Sequence, residues 1–444
     1  MTSKFRAGTL AIAVSVALGT VPLYAAEVTD KSAEKEDVEK IVVVGSRSAP
    51  RSIADSPVPV DLIGGDELSK SGAADMLDIL VSAIPSFNVR AQPISDAATL
   101  IRPVNLRGLS SDSTLILVNG KRRHRASVIA FQGGGVNDGA QGPDISVIPS
   151  VALKQVEVLR DGAAAQYGSD AIAGVMNFVL KDSADGGSLS VKKGQYFAGD
   201  GDSTIVDGNI GLPFTADGFV NLSFQLKNAD ATSRSVQRDD AAALDAAGTQ
   251  GIRNPAQIWG NPEIKDDITL FANVGLDLGN DKEFYMFGNY SERDVTGGFY
   301  YRNPENRGGV YGDKFAMVDS NGDNVIDGDD DNTHIQWLIG DLTADANGQN
   351  GTGNCPSVAY PIGERLMDQP EYAAVMANEN CWTFNKMFSG GYTPQFGGNI
   401  VDTALTMGTR GEFTEGAFNE VMYDFSASVG RSASTFYLSN TVNP

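Results

Sequence analysis

Residues 156–181 read VEVLRDGAAAQYGSDAIAGVMNFVLK, and this stretch decides the fold. The run at 156–159 is apolar and β-branched around one acid, which predicts a strand. Arg160 and Asp161 form a charged turn. A small-residue helical turn then ends at Tyr167 and Gly168, and a second apolar strand is predicted over 175–180. Two strands joined by so short a link, one of them wholly apolar, belong to a compact sheet.

Upstream, the chain becomes compact from Pro57. A strand is predicted over 58–63 and short helices over 66–71 and 75–83. In the second helix Met76, Leu77, Leu80 and Ile84 recur at helical spacing, and Pro85 stops it. Strands are predicted over 104–106 and 115–118, the latter turning at Asn119-Gly120. The whole is an α+β domain over 57–182.

Downstream the period changes to two. Val220, Leu222, Phe224 and Leu226 alternate with Asn221, Ser223 and Gln225. Ile268, Leu270, Ala272, Val274, Leu276 and Leu278 share one face of a second segment, and Val421, Tyr423, Phe425, Ala427 and Val429 share one face of a third. Weaker alternation covers 188–197, 205–212, 283–293, 403–412 and 434–441. This predicts about eight strands, each near the 9–11 residues that a tilted membrane strand needs. Short turns at 213–218 and 279–282 contrast with long loops at 229–266 and 294–402, as in a membrane barrel with loops of unequal length on its two sides. A soluble β-sandwich also alternates and is the competing architecture.

The 444 residues include 50 glycines, and the net charge is −22. That charge argues against nucleic acid as a partner, because phosphate binding needs clustered cations. Residues 1–26 read as a secretory signal: Lys4 and Arg6 precede an apolar core too short to span a bilayer. No later segment is a candidate transmembrane helix, so membrane insertion here requires a closed barrel. Residues 27–38 are charged and aperiodic, which predicts a flexible linker within 27–56. Cys355 and Cys381 lie in one polar loop of an exported chain; a disulfide is expected, with two free thiols as the alternative.

The segment Glu39, Lys40, Ile41, Val42, Val43, Val44, Gly45 follows the linker. A short β-branched run beside a tail can add as a strand to a partner's sheet edge. Taken with SPVPVDLIGGDELSKSGAADMLDILVSAIPSFNV, VNLRGLSSDSTLILVNGKRR and the opening stretch, it makes 40–181 resemble the plug domain of TonB-dependent outer-membrane receptors. The resemblance implies a plug followed, over 188–444, by the first part of an antiparallel transmembrane β-barrel, about eight of some 22 strands. It implies that residues 39–45 are the TonB box, gripped by TonB and its inner-membrane energising complex. It implies a Gram-negative outer membrane, with lipid and lipopolysaccharide around the wall. The function it implies is energy-coupled uptake of a scarce nutrient, a ferric siderophore first, with carbohydrate, peptide or cobalamin as alternatives. It also implies that Arg107 and Arg160 latch the plug to glutamates in wall strands outside this chain. Ligand contacts would come from plug loops at 90–101, 110–113 and 121–143, with Arg90, Arg123, His124, Gln132 and Asn137 as candidates. For the third loop, flexible connection or contact with inward-facing wall acids is the alternative.

One further motif is independent of that resemblance. In DSNGDNVIDGDD, Asp319, Asn321, Asp323, the Val325 carbonyl, Asp327 and Asp330 fall at the ligand spacings of an EF-hand loop, which suits structural Ca2+. Asn324 replaces the usual glycine and Asp330 the usual glutamate, so a solvated acidic loop competes with that reading. Nothing supports an enzyme or a catalytic cofactor: the two histidines, His124 and His334, are far apart, and no nucleophile elbow, zinc spacing or dinucleotide fingerprint occurs. Two other functions stay open: a truncated receptor fragment that does not transport, and a calcium-braced surface binding or adhesion protein.

Overall fold

The computed structural model describes residues 41–42, 51–52, 60–70, 75–90, 92–94, 97–130, 135–160, 164–305, 307, 310–318, 331–413 and 420–442. The signal segment, most of the linker, Gln132 and the acidic loop 319–330 lie outside them. Within the candidate TonB box only Ile41 and Val42 are described. They form β1 (Ile41–Val42), which pairs antiparallel with β2 (Arg51–Ser52).

The plug starts with β3 (Val60–Gly64), α1 (Gly65–Lys70) and α2 (Met76–Ala83). Asp75 caps α2 by accepting the Leu77 N–H at 2.9 Å, and the helix buries Met76, Leu77, Ile79 and Leu80 on one face. Then come β4 (Phe87–Val89), α3 (Ala97–Leu100), β5 (Val104–Leu106), β6 (Thr114–Val118), β7 (Lys121–Arg122), β8 (Leu153–Leu159), α4 (Ala164–Tyr167) and β9 (Gly174–Leu180). Five of these strands form a mixed sheet in the order β3-β8-β9-β6-β7, with β6 and β9 parallel. The opening stretch thus supplies β9, the middle strand of the plug sheet, and most of its neighbour β8. Gly174 has φ 148°, and a Cβ there would strike the Leu159 carbonyl and lie 2.7 Å from the Leu106 side chain.

Seven strands make the wall: β10 (Gly187–Gly194), β11 (Ser203–Pro213), β12 (Gly218–Ala229), β13 (Glu263–Gly279), β14 (Lys282–Gly297), β20 (Gln395–Phe413) and β21 (Val421–Ser439). They follow one another antiparallel in that order, and the sheet is open, with β10 and β21 at its edges among the described residues. The expected eight strands are therefore seven. The runs at 421–429 and 434–441 are one strand, because Gly430 and Arg431 stay paired to Ala404 and Thr403 and keep the register unbroken.

The register produces two uniform rows. Gly187, Ile210, Leu222, Ala272, Gly288, Leu405 and Val429 run across all seven strands on the outer face. Ser190, Asp207, Gln225, Thr269, Ser291, Asp402 and Ser432 run across them on the face that meets the plug. Asp207, Thr269, Ser291 and Asp402 are buried, while Ile210, Leu222, Leu405 and Val429 are exposed. A water-soluble sandwich reverses this arrangement. Apolar-out and polar-in is the pattern of a lipid-facing wall around a hydrated interior.

Between β14 and β20 lies an insertion with its own core. Its strands are β15 (Gly312–Val318), β16 (Asp331–Trp337), β17 (Gly340–Asp341), β18 (Ala359–Pro361) and β19 (Cys381–Trp382). Ile335, Trp337, Val358, Tyr360, Leu366 and Val375 pack around Cys381, which is disulfide-bonded to Cys355. The loop after β12 carries α5 (Asp239–Ala246), whose Ala241 packs with Ala256 and Tyr301 at the foot of the insertion. The long loops expected from sequence are therefore folded bodies, built on apolar residues scattered without a fixed period.

Candidate functional site

Plug and wall meet along a seam with apolar and polar parts. Phe271, Tyr285 and Phe287 point inward from β13 and β14 and join the plug core with Val118, Met176 and Phe178. Higher on the wall, Val295 and Ile400 pack against Ala97, Leu100, Ile101, Ala126 and Val128. Between these patches the contacts are charged. Arg123, placed by the β6–β7 hairpin, donates to Asp402 at 2.5 Å and to Asn289 at 2.7 Å. His124 Nε2 lies 2.9 Å from the other Asp402 oxygen, and a Cβ on Gly430 would run into the His124 ring. Arg293 of β14 donates to plug Asp144 at 2.6 Å. Lys121 reaches Asp424 at 2.7 Å, and the Tyr285 hydroxyl donates to the same carboxylate at 2.5 Å.

A third cluster centres on Asp75, which caps α2 and also receives Arg102 at 2.9 Å and Lys227 of β12 at 3.4 Å. Burial alone would raise its carboxyl; Lys227, Arg102 and the Leu77 N–H outweigh that and hold it well below the usual carboxylate range. Beside this cluster a cleft of about 400 Å3 opens between the plug and β10–β14. It lies at the long-loop end of the wall, where Gln195, Tyr196, Asn261 and Pro262 form its mouth and Leu77, Thr99 and Leu100 its plug side.

Several sequence-predicted residues have partners within the chain. Arg123 and His124 are engaged by the wall and do not stand free for a ligand. The inward-facing acid Asp402 explains this: a buried guanidinium needs a carboxylate, and the hairpin places one opposite. Asn137 is buried in a reciprocal amide pair with Asn105 and accepts the Ser111 N–H, so it fixes a plug loop. Arg90 is exposed and 3.7 Å from the Cβ position of Gly135. Arg160 pairs with Asp61 at 2.6 Å, and Arg107 donates to the Arg160 carbonyl at 2.8 Å, both within the plug. The seam's own cations, Lys227 and Arg293, were missed. Their signal was a charge at the inward parity of an alternating strand.

The plug sheet is thus held by buried ion pairs against a polar-faced antiparallel wall. Residues 52–175 match the family described as TonB-dependent Receptor Plug Domain, and the chain is similar to a curated TonB-dependent receptor. It is 28% identical over 277 residues to a probable TonB-dependent siderophore receptor, PirA, of Acinetobacter baumannii, covering 61% of this chain and 35% of that one. It is 30% identical over 199 residues to the ferric enterobactin receptor PirA of Pseudomonas aeruginosa, covering 43% and 26%. A crystal structure of the siderophore receptor PirA from Acinetobacter baumannii aligns with a TM-score of 0.39 at 15% identity, over 85% of this chain and 44% of that one. The chain thus spans from about a quarter to about a third of the length of these curated relatives.

Proposed function

We propose that this chain supplies the plug and the first wall strands of an outer-membrane receptor that imports a ferric siderophore, driven through TonB. The carrying observation is the seam: a plug core closed against a sheet whose inner row is polar throughout and whose outer row is apolar throughout. Such a wall suits lipid and lipopolysaccharide outside and a wet path inside. Curated relatives named as siderophore receptors support the ligand class. In this reading residues 1–26 direct export, and residues 39–45 are taken by TonB as an added strand. The pull passes to the plug, and no chemical step on the ligand is involved. Arg107 and Arg160, at one end of the plug sheet, latch it to further wall glutamates. The loop 319–330 holds calcium as a brace.

The test is uptake of 55Fe-labelled ferric siderophores by a strain carrying the gene, against its deletion. Removal of residues 41–44 should abolish uptake and leave surface binding of the ligand intact. Uptake that survives that deletion overturns the energy-coupled reading.

A further inference from the structure

The cleft beside Asp75 contains a carboxylate that the seam leaves out. Asp267 of β13 lines the cleft and is only 8% exposed. Among the described residues it makes no hydrogen bond and no ion pair. Lys227, its cross-strand neighbour, and Arg293 act on it only through space. Their own bonds go elsewhere, Lys227 to Asp75 and Arg293 to Asp144 and the Leu100 carbonyl. Arg102 is likewise held by Asp75 and Asp78. Each cation around the cleft is thus matched to another acid, and Asp267 still lacks a donor. A buried carboxylate without a donor is costly, so this position favours any occupant that brings one.

The charge balance of the lining points the same way. Asp78 and Asp230 line the cleft with Asp75 and Asp267, against Arg102, Lys227 and Arg293, so acids exceed bases. Leu77, Leu100, Pro93, Ile264 and Val295 supply apolar walls. A volume of about 400 Å3 falls within the usual range for small-molecule sites. Apolar lining beside a buried acceptor is complementary to an alkyl chain that carries a protonated amine.

We propose that this cleft is a binding site for a primary alkylammonium group, with Asp267 as the acceptor at its base. The proposal rests on the uptake reading for its biological use: the group would be the cationic arm of the imported ligand, docked between plug and wall. The cleft itself is testable without that reading.

The experiment titrates the detergent-solubilised full chain with n-pentylammonium chloride and, separately, with its neutral N-acetyl analogue. Asp267→Asn keeps the side-chain shape and removes the charge. Asp230→Asn, at the mouth, is the second variant, and melting curves confirm that both are folded. The wild type should bind the ammonium at least tenfold more tightly than the acetylated amine, because a charge-assisted hydrogen bond is lost on acetylation. Asp267→Asn should remove that preference, and Asp230→Asn should reduce it less. Equal binding of the two probes by the wild type, no binding of either, or a preference that survives Asp267→Asn overturns the proposal. Uptake of 55Fe-labelled ferrioxamine B, which carries such an arm, is measured in parallel. Loss of uptake with probe preference intact counts against the uptake reading alone.

Discussion

Replacing Asp402 by alanine should do more damage than replacing any other single wall residue on the seam. Asp402 is 2% exposed and accepts from Arg123 at 2.5 Å, from His124 at 2.9 Å and from Asn289 at 3.1 Å. Without it the buried guanidinium of Arg123 keeps only the neutral Asn289 oxygen. Breaking a buried pair by deleting one partner costs about 3–5 kcal/mol, because an uncompensated charge stays behind. That corresponds to roughly two to three and a half powers of ten in the folded-to-unfolded ratio. Replacing both members by apolar residues of similar volume removes the stranded charge, so Arg123→Met with Asp402→Leu should recover most of the loss. The two single variants and the double variant form a cycle with a coupling of about 2 kcal/mol or more. Urea unfolding in detergent micelles, followed by tryptophan fluorescence, measures each corner. Trypsin sensitivity of residues 121–125 reports whether the hairpin has left the wall. If the double variant is as unstable as the sum of the singles, the pair does not hold the plug and the account of the seam is wrong.

The Asp75 cluster predicts a pH dependence. Its carboxyl lies lower in the folded protein than the ordinary value of about 3.9. Its contribution is therefore complete above that value and is lost as pH falls toward the folded one. Melting temperatures of wild type and Asp75→Asn should differ at neutral pH and converge below about pH 4; a gap that widens with acid refutes the sign. Gly174→Ala should destabilise the plug by more than about 1 kcal/mol through its positive φ and the Leu159 carbonyl, read as a lower urea midpoint. Leu222→Arg on the outer row should cost about 2–4 kcal/mol if that row faces lipid, while a comparable change at an exposed loop residue should be near neutral; refolding into bilayers measures both. Replacing Cys355 and Cys381 by serine opens a loop of 26 residues and should cost the insertion about 3.5 kcal/mol by the loop-entropy relation. Hydrogen exchange should show that loss in the insertion and leave β12–β14 unchanged.

The plug was legible because local signals agree with the fold. The apolar stripe of α2 and the strands at Val104–Leu106 and Thr114–Val118 need only short-range reasoning. The wall was legible through its period of two, which also gave the correct faces. Its strand count was not, since Gly430 reads as a break but is paired in the middle of β21. The site was less legible. For Arg123 and His124 ligand contact and pairing with an inward-facing wall acid stayed open, because nothing local shows that Asp402, far along the chain, lies opposite them. Asp267 looks like any polar strand residue; its isolation depends on where Lys227 and Arg293 send their bonds. Such facts exist only after long-range pairing.

The polar row from Ser190 to Ser432 has a mechanical consequence. Surfaces joined by apolar contact resist sliding, since each Å2 exposed costs about 25 cal/mol. Surfaces joined by hydrogen bonds slide more easily when water can enter, because each bond given up is replaced and the net loss is about 0.5–1.5 kcal/mol. Among the described residues the apolar grip centres on patches around Phe271, Tyr285 and Phe287 and around Val295 and Ile400. Away from the buried pairs of Arg123 and Arg293, the polar part of the seam can exchange its partners for water one at a time. Water acts there as a lubricant, while the buried ion pairs must still be broken before the two surfaces can slide.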